Sequence, residues 1–225
     1  MSSIAERLAG VRAGIPAGVT LVAVSKTQPA EAVREAHAAG QRDFGENYAQ
    51  EWRDKAAALA DLPGLVWHFI GALQTNKVKY LVGQPSGGAP RAAFIHTVDR
   101  LTLAEEISRR ALRAGAQMRV FLEVNVAGEG SKSGCAPAEL PALARAAAGL
   151  PGLALCGLMC IPPAEGDPRP HFRALRALRD GLGLPLPELS MGMSGDFEAA
   201  IAEGATVVRV GSAIFGARPP KGETP

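Results

Sequence analysis

The stretch Thr20-Leu21-Val22-Ala23-Val24-Ser25-Lys26-Thr27-Gln28 decides between two α/β architectures. Its first five residues are apolar or β-branched and read as a buried strand. In an open doubly wound sheet that binds dinucleotides, such a strand would run into a Gly-rich phosphate turn. Val24 to Gln28 contains no glycine. The strand instead ends on Ser25 and Lys26, as expected of a barrel whose functional groups occupy the ends of its strands.

Outward from this strand the chain alternates short apolar runs with Ala/Leu/Arg stretches. A helix is expected over Ser3 to Ala13 before it, and another from Pro29 to Ala39 after it, closed by Gly40. Further strands are expected at Arg42–Gly45, Val66–Ile70, Ala93–Thr97, Arg119–Asn125, Leu153–Leu158, Glu188–Met191 and Val207–Val210. Helices are expected at Tyr48–Leu59, Gln74–Leu81, after a capping Asp99, at Ala138–Ala148, at Pro170–Leu182 and at Asp196–Glu203. Gln84 to Arg91 reads as a Gly/Pro-rich surface loop. Eight strands, each followed by a helix or helical turn, predict a (β/α)₈ barrel with an additional N-terminal helix. No linker or internal repeat divides residues 1–225, which read as a single domain.

The chain has 225 residues, 47% apolar and 20% charged, an ordinary globular composition. Its 24 basic and 22 acidic residues leave a formal charge of +2, too balanced for nucleic acid as the main partner. No apolar run is long enough for a membrane span, and the N-terminus lacks a basic-then-apolar secretory pattern. Cys135, Cys156 and Cys160 form no paired framework and fit reduced thiols in a cytoplasm. Cys156 and Cys160 lack the second pair or neighbouring His that a metal site would need.

Three places could carry chemistry. Lys26 follows the first strand, where apolar neighbours would keep it dry. Desolvation disfavours an ammonium, and a neutral amine is what a Schiff base with an aldehyde requires. The alternative is a surface lysine that closes a strand. Ser194 and Gly195 leave the seventh strand, with Ser194 as candidate N-cap, and Gly211 and Ser212 leave the eighth. Both segments offer donors to an anion, at the two strands where barrels commonly bind phosphate. The alternative is routine capping and a glycine turn. His68, between Trp67 and Phe69, reads as a hydrogen-bonded core histidine ahead of a pocket residue. Lys77 and Lys79 read as a solvated helix face, and Lys132 lies in a Gly-rich loop that could cover a ligand.

Eight segments carry a resemblance to the pyridoxal 5′-phosphate (PLP) homeostasis family: Ala23-Val24-Ser25-Lys26-Thr27, Phe44-Gly45-Glu46-Asn47-Tyr48, Trp67-His68-Phe69-Ile70-Gly71, Leu73-Gln74-Thr75-Asn76-Lys77, Ser131-Lys132-Ser133-Gly134, Gly157-Leu158-Met159, Met191-Gly192-Met193-Ser194 and Val208-Arg209-Val210-Gly211-Ser212-Ala213-Ile214-Phe215-Gly216. They follow the family's order from about Leu21 to Arg218. The resemblance implies a fold similar to the N-terminal barrel of alanine racemase. It implies PLP as cofactor, with Lys26 as the Schiff-base lysine. It also implies that Ser194, Gly195, Gly211 and Ser212 hold the phosphate, that Arg209 faces the pyridine nitrogen, and that Asn47 lies beside the ring. The family varies between Ser and Thr at position 212 and tolerates several residues at 195.

An arginine at the ring nitrogen bears on activity. PLP is an electron sink when that nitrogen is protonated, and a guanidinium only donates. Transamination and decarboxylation are therefore disfavoured. Racemisation needs a second base, which alanine racemases draw from a β-rich domain; no such domain is expected after the eighth strand, in residues 216–225, and Tyr48 and Tyr80 are the only tyrosines. The expectation is a cytoplasmic, monomeric carrier that holds, buffers or delivers PLP, possible recipients being PLP-requiring apo-enzymes. The alternatives are a weak PLP-dependent racemase and a barrel for another phosphate ligand.

Overall fold

A computed structural model describes residues 2–82, 92–130 and 132–216. The surface loop expected at 84–91, Ser131 and the tail from 217, with Arg218, lie outside the described residues. Helix α1 (Ile4–Ala13) opens on a capping box, in which the Ser3 side chain accepts from the Glu6 N–H and the Glu6 carboxylate accepts from the Ser3 N–H. Then follow β1 (Thr20–Val24), α2 (Ala30–Ala38), β2 (Asp43–Glu46), α3 (Ala49–Ala58), β3 (Val66–Phe69), α4 (Val78–Val82) and β4 (Phe94–Val98). The second half comprises α5 (Leu101–Arg113), β5 (Met118–Glu123), α6 (Leu140–Ala148), β6 (Leu153–Met159), α7 (Arg169–Gly181), β7 (Glu188–Ser190), α8 (Phe197–Ala202), β8 (Val207–Val210) and α9 (Ser212–Phe215).

The eight strands form a closed parallel barrel in sequence order. Closure is made by β1, which pairs Val22 with Arg209 of β8 and Val24 with Gly45 of β2. Both faces of each strand are covered, so β4 is buried along its whole length. The outer layer lies between sheet and helices, where α5 presents Leu103, Ile107 and Ala111 on one face. The lumen holds Val22, Phe94, Phe121, Met159 and Val207. Each such large apolar side chain contributes about 1.5–3 kcal/mol on burial. Interior filling of this kind makes the barrel a packed core with two mouths rather than a pore.

Three local expectations are corrected. Gln74 to Leu81 is not one helix: a 3₁₀ turn at Thr75–Lys77 precedes α4, in keeping with the weak helix propensity of Thr75 and Asn76. Asp99 does not cap α5. Arg100 occupies the capping position, and the Asp99 carboxylate accepts from the Arg100 side chain at 2.6 Å. Ser194 does not cap α8, because Asp196 stands at that position, two residues beyond it.

Candidate functional site

All the predicted site residues meet at the C-terminal mouth of the barrel. Lys26, Asn47, Ser194, Gly195, Arg209, Gly211 and Ser212 line one cleft of about 270 Å³. Each arrives on or just past a strand: Lys26 after β1, Asn47 after β2, Ser194 and Gly195 after β7, Arg209 within β8, and Gly211 and Ser212 after β8. Val24, Ile70, Ile161 and Met193 add apolar wall. Among the described residues lining this cleft there is no carboxylate and no tyrosine.

Lys26 is half-buried at the start of the first βα loop. The next residue, Thr27, has φ 62°, a left-handed conformation that costs a non-glycine residue about 1–2 kcal/mol. The loop is held from below. The Thr27 N–H donates to Glu51 Oε1 at 2.6 Å, and Lys55 Nζ donates to the Ser25 carbonyl at 2.8 Å. Lys55 also donates to Glu46 Oε1 at 2.7 Å and to Glu51 Oε1 at 3.0 Å, while the Ser25 hydroxyl donates to Glu46 Oε1 at 2.6 Å. Glu46 is fully buried, and desolvation raises its pKa against the pull of Lys55 and Ser25. The sequence reading missed this network. Glu46 falls inside a quoted motif, but Lys55 on a helix reads as a solvent residue.

Asn47 is placed by a close backbone approach. A Cβ on Gly71 would lie 2.0 Å from the Asn47 carbonyl oxygen, so only glycine lets the β3 exit pass there. The Asn47 Oδ1 atom is buried without a hydrogen-bond partner among the described residues, although it borders the cleft. Such an orphaned acceptor calls for a ligand or solvent donor.

On the opposite wall, Ser194 Oγ accepts from the Gly211 N–H at 3.1 Å and the Ala213 N–H at 3.4 Å. Its lone pairs are thus engaged, and its own proton remains to donate. Gly211, expected to offer its N–H to an anion, directs it to Ser194. Ser212 is exposed at the head of the four-residue α9.

Arg209 is buried, with Nη1 donating to Ser190 Oγ at 2.7 Å and Nη2 to the Cys160 carbonyl at 3.0 Å. Glu123, at the end of β5, lines a smaller adjoining cavity of about 170 Å³ with Asn47, Asn125 and Lys132. Burial and the charge of Asp99 push its carboxyl up to about 7, opposed by Arg209. Lys132 Nζ donates to Glu129 Oε1 at 3.0 Å and to the Pro162 carbonyl at 2.9 Å. His68 lies in the barrel interior, bonded to Asp43 and His96, and borders the opposite mouth. It is the hydrogen-bonded core residue expected. Tyr48 is exposed, and Tyr80 packs under Arg53, Lys77 and Lys79. Burial pushes the thiols of Cys135 and Cys156 up to about 11 and that of Cys160 up to about 12, which suppresses the thiolate. Among the described residues no group of three His, Cys, Asp or Glu could hold a metal ion.

The alanine racemase N-terminal domain family matches residues 1–219. A pyridoxal phosphate homeostasis protein of Pseudomonas aeruginosa is 52% identical over 97% of this chain and 97% of its own. This chain belongs to the pyridoxal phosphate homeostasis family. The family member of Escherichia coli K12 is 44% identical over 97% of this chain and 98% of its own. Among solved structures, PipY of Synechococcus elongatus with PLP bound superposes with a TM-score of 0.87 at 41% identity, over 95% of this chain and all of its own. Alanine racemase of Corynebacterium glutamicum shares the fold alone, with a TM-score of 0.69 at 18% identity over 98% of this chain and 62% of its own. Among the described residues no helix is long and apolar enough to cross a membrane.

Proposed function

We propose that this chain binds PLP at the C-terminal mouth of its barrel and serves PLP homeostasis as a holder of the cofactor, with residues 1–225 acting as one domain. The observation that carries the reading is the convergence of Lys26, Asn47, Ser194, Arg209 and Ser212 on one cleft. The polar set fits the group: an Asn47 amide oxygen that awaits a donor, a Ser194 hydroxyl with a proton to give, and an amine at the rim. A relative 41% identical was solved with PLP bound.

When bound, PLP supplies an aldehyde that condenses reversibly with a lysine amine and a ring that withdraws electrons when its nitrogen is protonated. Lys26 would hold the aldehyde carbon. Ser194 and Ser212 would donate to the phosphate, with Gly195 and Gly211 shaping the loops around it. Val24, Ile70, Ile161 and Met193 would exclude water from the ring. Arg209, anchored by Ser190 and Cys160, would present a donor to the ring nitrogen and so keep a proton off it. Among the described residues that line this cleft, no carboxylate or tyrosine is placed to pair with a protonated ring or to act as a second base, and Glu123 lines only the adjoining cavity. These features support a carrier that releases PLP to apo-enzymes without turning over amino acids. The three unpaired cysteines are in keeping with a reducing cytoplasm. The expected oligomeric state is a monomer.

The test is a visible spectrum with PLP, borohydride reduction and peptide mapping, alongside an assay for D-alanine formed from L-alanine. The expected result is a label on Lys26 and no interconversion. A label mainly on Lys77 or Lys132 overturns the site, and sustained interconversion overturns the carrier reading.

A further inference from the structure

A continuous line of polar side chains crosses the lumen between otherwise apolar layers. Arg209 Nη1 donates to Ser190 Oγ at 2.7 Å, and Ser190 Oγ lies 2.8 Å from His96 Nδ1. His96 Nε2 lies 2.9 Å from His68 Nδ1, and His68 Nε2 lies 3.0 Å from Asp43 Oδ1. Ser190, His96 and His68 are buried, whereas the Asp43 side chain is 29% exposed at the N-terminal mouth. Five strands contribute, one residue each: β8, β7, β4, β3 and β2.

The two ends determine the protons between them. A guanidinium only donates and a carboxylate only accepts. Ser190 accepts from Arg209 and passes its own proton to His96 Nδ1. His96 is then the Nε2–H form and donates to His68 Nδ1, and His68, also the Nε2–H form, donates to Asp43. The opposite direction would set a bare His68 nitrogen against the carboxylate. Burial keeps both imidazoles neutral by lowering their pKa, that of His96 well below 6.5. Stacking of His68 on Phe94, with centroids 4.5 Å apart, and of His96 on Phe121, at 4.3 Å, fixes both ring planes. Among the described residues no carboxylate forms an ion pair with Arg209.

We propose that Asp43, His68, His96 and Ser190 are positioning residues for Arg209: a one-directional hydrogen-bond relay, anchored at the far mouth of the barrel, that aims the guanidinium at the cleft. Aligned hydrogen bonds in a low-dielectric interior polarise one another, so a change at Asp43 is felt at Arg209. The consequence for cofactor rests on the reading of Arg209 as the residue beside the PLP ring; the relay itself does not.

The experiment has two arms. Long-range ¹H–¹⁵N spectra of the chain without PLP, at neutral pH, should show His68 and His96 both as the Nε2–H tautomer. Either ring in the Nδ1–H form overturns the relay, whether or not the chain binds PLP. In the second arm, Asp43→Asn and Ser190→Ala are titrated with PLP. Both should shift the visible absorption maximum of the bound cofactor and weaken PLP several-fold, with Asp43→Glu restoring much of the parent behaviour. Parent spectrum and affinity in both variants, with labelling still on Lys26, overturn the positioning role and leave the PLP reading intact. If Ser190→Ala does not fold, Asp43→Asn at the partly exposed mouth decides this arm. If the parent takes up no PLP, the tautomers alone decide the relay.

Discussion

Ser194 Oγ accepts the Gly211 N–H at 3.1 Å, which ties the exit of β7 to the exit of β8. One hydroxyl therefore has two duties, joining loops through its lone pairs and donating outward through its proton. Ser212, exposed and next in the chain, has only the second. Ser194→Ala and Ser212→Ala should each weaken PLP more than pyridoxal, since each loses a donor to the phosphate. A hydrogen bond to a charged group contributes about 1.5–3 kcal/mol, roughly ten- to a hundredfold in affinity. Ser194→Ala should also lower the thermal midpoint, because the N–H groups of Gly211 and Ala213 lose their acceptor. Equal weakening of PLP and pyridoxal in both variants would place the phosphate elsewhere.

The pair Glu46 and Lys55 is buried within 2.7 Å and braces the loop that carries Lys26. Removing one partner of a buried pair strands the other charge, at about 3–5 kcal/mol. Lys55→Met should cost that much in urea unfolding. Adding Glu46→Gln to it should recover a large part, since the stranded carboxylate is gone. Full additivity of the two single losses would show that the pair is not coupled in the folded chain.

Much of this molecule is legible in its sequence because barrel strands are short, apolar and regularly punctuated. All eight strands appear where Thr20–Val24 and its successors place them, with ends that agree to within two residues. Lys26, Asn47 and Arg209 are recognisable because motif and strand end coincide. The lumen is less legible. His96 lies in the apolar run Phe94–Val98 and looks like core filling, yet it bonds to Ser190, 94 residues away. Glu123 and Lys55 carry no local signal either, since their burial depends on barrel closure and not on neighbours in the chain.

Glu123 predicts a pH dependence with a definite sign. Its carboxyl titrates at about 7 in the folded chain against an ordinary 4.5. The folded chain keeps a proton there that the unfolded chain has already released. The associated stability is present below pH 4.5 and is lost as pH rises to about 7. That interval corresponds to about 3 kcal/mol. Glu123→Gln should match the parent near pH 4 and exceed it by about 3 kcal/mol at pH 8 in urea unfolding. His68 and His96, whose lowered pKa values weaken the fold as pH falls below 6.5, occur in both proteins and cancel. A variant advantage that is constant with pH would show that Glu123 titrates normally.

Gly71 and Gly195 both border the mouth, and they should respond oppositely to alanine. A Cβ at Gly195 meets nothing within 4 Å, and its φ is not left-handed. A Cβ at Gly71 would sit 2.0 Å from the Asn47 carbonyl oxygen and 2.7 Å from its Cα, so the β2 exit must move. Gly195→Ala should leave the unfolding midpoint within about 0.5 kcal/mol of the parent, as surface substitutions do. Gly71→Ala should cost about 3 kcal/mol, the upper end of ordinary overpacking. It should also weaken PLP, because displaced backbone carries Asn47 away from the cleft. The comparison is made by urea unfolding and PLP titration of both variants. A Gly71→Ala protein with parent stability would mean that the β2 and β3 exits are not locked together, and the placement of Asn47 in the site would lose its physical basis.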